Sequence, residues 1–95
     1  MNGEIDKSIS QQALEKWGFD EQLNMIEEEC LELALAIQKL KREFSQPRFE
    51  AVVDEIADVK IVLASAELMF PIDAINKRVD FKMNRLVERI KNNTP

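Results

Sequence analysis

One stretch limits the folds open to this chain. Phe49, Val52, Ile56, Val59, Leu63, Ala66 and Phe70 recur at alternating steps of three and four residues, the spacing of a helix seam. The far side of the same helix is apolar too, carrying Ala57, Ile61, Ala64 and Leu68. A helix that is apolar almost all round has to be covered on both sides. Yet the run Asp54-Glu55-Ile56-Ala57-Asp58 lies in its middle. A carboxylate left unpaired near a core or an interface is strongly destabilising, and a bound cation removes that cost.

A second acidic run, Glu28-Glu29-Cys30-Leu31-Glu32, has the same character. Glu29 and Glu32, like Glu55 and Asp58, are three residues apart and so neighbours on one helix face. A lone Glu-x-x-Glu is usually a solvated face. Two such pairs, each flanking an apolar seam, converge if their helices pack together. Four carboxylates then make a hard, oxygen-only site suited to Mg²⁺, with Mn²⁺ as the alternative.

Ninety-five residues form one small domain, 1–95, with a thin core that calls for self-association. With 2 Gly, 3 Pro and no Tyr, the composition favours an all-α protein. A net charge of -5, with no long run of one sign, argues against duplex nucleic acid as a partner. Cys30 stands alone, so no intrachain disulfide forms. The absence of histidine removes zinc-protease, Ser-His and Cys-His chemistry, and di-iron Glu-x-x-His bundles. No signal-peptide pattern and no bilayer-length apolar run are present, which makes a cytoplasmic protein without a membrane partner the expectation.

Four helices are expected. The first runs from a Ser10 cap to Trp17 and stops at Gly18. The second, capped by Asp20, runs from Glu21 to Glu43 on a seam of Leu23, Ile26, Cys30, Leu33, Ile37 and Leu40. That seam makes Cys30 a small core residue and places Glu29 against it. Ser45-Gln46-Pro47 breaks the chain before the third helix, which ends at Phe70-Pro71. The fourth, from Pro71 or Asp73 to about Lys91, is basic, with Ile75, Val79, Met83, Leu86 and Ile90 as its apolar stripe. The second to fourth helices carry the core, and a second copy covers what is left of the third.

Glu28-Glu29-x-x-Glu32 followed by Glu55-x-x-Asp58 resembles the signature of the MazG-like all-α nucleoside triphosphate pyrophosphatases. Glu32-Leu33, Ala57-Asp58-Val59 and a last helix bearing Lys82 and Arg85 agree with it. Trp17-Gly18, Gln22 and Met25 look like its short phage and bacterial branch. The resemblance spans about residues 13 to 91. It implies a helical bundle completed by dimerisation, as a homodimer or a dimer of dimers. It also implies cleavage of a nucleoside triphosphate substrate to the monophosphate and pyrophosphate, clearing non-standard or surplus nucleotides.

Carried over, Glu29, Glu32, Glu55 and Asp58 are the Mg²⁺ ligands. Glu28 either acts on the attacking water from outside the ligand set or pairs with a base on a neighbouring helix. Lys82 and Arg85 either contact phosphate or are solvated residues of an amphipathic helix. Trp17 either stacks on a base or anchors the first helix in the core. Gln22 either reads the base edge or is simply exposed. Two competing functions are a non-catalytic oligomerising helical module and a phosphatase of another polyphosphate, such as a nucleotide-like alarmone.

Overall fold

A computed structural model describes residues 2–95. Three helices follow one another: α1 (Lys7–Arg42), α2 (Gln46–Met69) and α3 (Ile72–Lys91). The described residues contain no strand. The protein is all-α, with the first two expected helices fused into α1. Gly18 nevertheless leaves helical geometry, at φ 86° and ψ 170°, a region open almost only to glycine. The helix is interrupted there, at the residue where the sequence places its stop, and a second helical segment continues beyond the kink.

The start of α1 differs from expectation. Asp6, and not Ser10, is the cap: its Oδ1 accepts from the Ser8 backbone N–H at 2.9 Å and from the Ser8 hydroxyl at 2.6 Å. Ser10 is buried inside the helix. At the turn into α2 the expectation holds. Ser45 Oγ accepts from the Arg48 N–H at 3.4 Å, with Pro47 in the first turn, where its missing donor costs nothing. Pro71 likewise opens α3, and Asp73 sits in its positive first turn.

Only three residues separate α1 from α2, so the two pack as an antiparallel hairpin. Their shared face is rotated from the expected seams. On α1 the covered positions are Gln22, Met25, Ile26, Glu29, Leu33, Ala36 and Leu40. On α2 they are Val52, Glu55, Asp58, Val59, Val62, Ser65, Ala66 and Met69. Leu23, Ile37, Phe49, Ile56 and Leu63 turn outward. Cys30, expected in the core, is exposed. Hence Glu29, Glu55 and Asp58 occupy the packed face itself, where the sequence pattern set them only beside it.

Across the kink, the N-terminal arm of α1 folds onto α2. Gly3 to Ile5 border a cleft with Val53, Ile56 and Ile61. The Phe19 ring meets Phe70 edge-on, centroids 5.8 Å apart.

The expected core of three helices does not form within one chain. α3 touches α2 sparsely and α1 not at all, and its stripe of Val79, Met83, Leu86 and Ile90 faces solvent. Val62 is the one buried apolar residue among those described. A folded monomer of this mass exposes about 5,600 Å²; this chain exposes 7684 Å². Its radius of gyration is 16.1 Å, against about 12.4 Å for a compact chain of this length. Among the described residues no helix is long and apolar enough to cross a membrane.

Candidate metal centre

The antiparallel register brings the two acidic runs face to face. Glu29, Glu32 and Glu55 each offer an oxygen within 4.8 Å of the others. Asp54, Glu55 and Asp58 form a second such group. Glu55 belongs to both, so the four expected ligands are divided between two groups of three that share it. Asp54 joins them. Sequence reasoning missed it as a ligand, although its i, i+4 spacing to Asp58 puts both on one face.

The geometry suits a small divalent ion. Oxygens bound to one Mg²⁺ at about 2.1 Å lie no more than about 4.2 Å apart, so side-chain rotations within these groups suffice to bring the oxygens onto one ion. The cluster also carries an unmet electrostatic demand. Glu29 Oε2 and Glu55 Oε2 are shielded from solvent and have no hydrogen-bond partner. Among the described residues the one ion pair is Lys91–Glu88, on α3, so none of their cations is paired with the group. Burial first, then the charge of Glu32, Asp58 and Glu55, holds the Glu29 carboxyl above the ordinary carboxylate range. Burial again, followed by the charge of Glu32, Asp58 and Asp54, does the same for Glu55. Hard oxygen donors, with two buried oxygens lacking partners, fit a metal of the Mg²⁺ class.

Glu28 is exposed, outside the cluster on the neighbouring face of α1. Lys82 and Arg85 are exposed on α3. Because α3 makes no contact with α1, one protomer does not bring them beside Glu29 and Glu32. Gln22 corrects the expectation of an exposed residue, being only 2% accessible. Its Nε2 donates to Met25 Sδ at 3.5 Å, a weak acceptor for a buried amide. Gln22 lines an apolar slot of about 390 Å³ with Ala13, Trp17, Met25, Val62 and Ser65. Trp17 stands at the slot with 52% of its surface open, so within one protomer it does not act as a core anchor.

No family model, curated protein or solved structure matches this chain.

Proposed function

We propose that the protein is a Mg²⁺-dependent nucleotide pyrophosphohydrolase, converting a nucleoside triphosphate to the monophosphate and pyrophosphate. The observation that carries this proposal is the pair of carboxylate groups, Glu29-Glu32-Glu55 and Asp54-Glu55-Asp58, that share Glu55 and include two shielded oxygens without partners. The resemblance of both acidic runs to the MazG-like signature supports the same reaction.

In this reaction a water oxygen bonds to the α-phosphorus while the bond to the bridging oxygen breaks. Pyrophosphate leaves with that electron pair, and the water gives its proton to a carboxylate or to solvent. A Mg²⁺ ion held by these carboxylates would supply polarisation of the phosphoryl oxygens and a bound water of lowered pKa. Glu29, Glu32, Glu55 and Asp58 hold the ion, and Asp54 extends the set. Glu28 orients or deprotonates the attacking water from just outside it.

The Gln22 slot lies on the same α1 face as Glu29, two helical turns away, about 10.5 Å. A nucleoside fits that arrangement: Trp17 stacks on the base, the Gln22 amide reads its edge, and the α-phosphate reaches the carboxylates. The chain works as a homodimer or a dimer of dimers. Its excess exposed surface, about 2,000 Å² per protomer, is of the size that obligate interfaces bury. A partner copy covers the α3 stripe and can bring Lys82 and Arg85 to the phosphates. The biological role is removal of non-standard or surplus nucleotides.

A product assay with Mg²⁺ over a panel of standard and modified nucleoside triphosphates tests this. Monophosphate plus pyrophosphate, lost in Glu29→Gln and Asp58→Asn proteins of intact helicity, is the expected outcome. Diphosphate plus phosphate would refute the cleavage position. No turnover on any substrate would return the chain to an oligomerising helical module.

A further inference from the structure

Seven residues beyond Glu32 on α1, and seven before Glu55 on α2, stand two cations, Lys39 and Arg48. Seven residues are two helical turns, about 10.5 Å. Both cations lie toward the hairpin turn, on the side of the carboxylates opposite the Gln22 slot. They line a cleft of about 190 Å³ whose walls also include Glu32 and Glu55, with Ala36 and Ala51 between. Neither cation is in an ion pair. Arg48 Nη1 donates to the Lys39 carbonyl oxygen at 2.7 Å. That bond fixes the guanidinium across the last turn of α1 and leaves its other donors for a ligand. The first turn of α2, capped by Ser45, contains no acidic residue, so the positive end of that helix adds to the local field.

We propose that Lys39 and Arg48 form the subsite for the pyrophosphate end of the nucleotide, and so for the leaving group. This assignment rests on the metal-binding role of the carboxylates. Without a cation, Glu32 and Glu55 repel a polyphosphate. With one, the same cleft presents a metal at one end and two fixed positive charges at the other. The order along the hairpin is then base slot, carboxylate cluster, cationic cleft, which is the order of base, α-phosphate and pyrophosphate in the substrate. The subsite belongs entirely to the α1–α2 hairpin, so it needs neither α3 nor a partner copy. Ala36 and Ala51 keep it open, since longer side chains at either position would enter the cleft.

The probe is inorganic pyrophosphate, titrated calorimetrically into the full-length protein with Mg²⁺ present. The proteins are wild type, Lys39→Met, Lys39→Arg and Arg48→Gln. Thermal melting with Mg²⁺ alone is the companion measurement. Each loss of a charged contact is expected to weaken pyrophosphate about tenfold. Lys39→Arg should bind nearly as wild type, and the Mg²⁺ melting shift should be the same in all four. Wild-type pyrophosphate affinity in both Lys39→Met and Arg48→Gln, with the Mg²⁺ shift intact, overturns the subsite and leaves the metal centre standing. So does failure of the wild type to bind pyrophosphate while Mg²⁺ still stabilises it. Absence of any Mg²⁺ shift in the wild type overturns the metal centre itself, and the subsite with it.

Discussion

Replacing Glu55 by Gln separates a metal centre from a chance meeting of acidic side chains. Glu55 is the one residue common to both groups of three carboxylates. Its substitution breaks both at once, whereas Glu29→Gln or Asp54→Asn leaves the other group whole. Two effects of opposite sign follow. Without metal, the change removes a charge that burial and three acidic neighbours disfavour, so the variant should melt above the wild type at neutral pH. With metal, the wild type should gain about 2.7 kcal/mol at an ion concentration of a hundred dissociation constants. For a domain of this size that is about 10–20 °C in melting temperature. Glu55→Gln should gain nothing, and Glu29→Gln and Asp54→Asn should gain part. The assay is thermal melting followed by far-ultraviolet circular dichroism across a Mg²⁺ titration, with the exposed α3 substitution Asp80→Asn as the control for charge alone. A Glu55→Gln protein that melts below the wild type without metal, or keeps the full Mg²⁺ gain, would refute the central place given to Glu55.

The pH dependence has a definite sign. Glu29 and Glu55 titrate above their ordinary value of 4.5 in the folded protein, so the folded state holds extra protons between 4.5 and the raised values. Metal-free stability should therefore rise as pH falls from neutral through that window, while Mg²⁺ stabilisation weakens as protons compete for the same oxygens. Asp6 is held below its ordinary 3.8 by the Ser8 hydroxyl and N–H, so its cap contributes fully above 3.8 and is lost as pH falls through the lower folded value; melting curves against pH with and without Mg²⁺ check both trends. Gly18→Ala should cost about 1–3 kcal/mol in denaturant unfolding, from backbone strain alone, because an added methyl at φ 86° meets no atom within 4 Å. A neutral result would mean that the kink is not held.

Much of the hairpin was legible. The Glu43 end of α1, the Ser45 cap, Pro47, and Pro71 follow from local chemistry acting over a few residues, and they stand where that chemistry puts them. The packed faces were not legible in the same way. On α2 nearly every face is apolar, so periodicity could not say which one meets α1, and the three-four seam is split: Val52, Val59 and Ala66 are covered while Phe49, Ile56, Leu63 and Phe70 face outward. The covered face carries Gln22, Ser65 and three carboxylates beside its apolar residues, a polar content that hydrophobic periodicity does not register. Cys30, one position from Glu29, lies off that face. Ser10 was a plausible cap by type, but Asp6 lies earlier and bonds twice to Ser8. The two acidic pairs were readable from their three-residue spacing; Asp54 stands at the equally informative i, i+4 spacing from Asp58, which pairing at three-residue steps passed over.

The three-residue turn between α1 and α2 has a consequence for the order of events during folding. Every carboxylate of the cluster lies within the hairpin that this turn closes, and hairpins of helices form by short-range contacts, ahead of more distant pairings. The site can thus assemble on a chain whose last helix has not yet found a surface. A dilute or newly made protomer should already take up Mg²⁺, so ion binding would be independent of protein concentration under conditions where association is not.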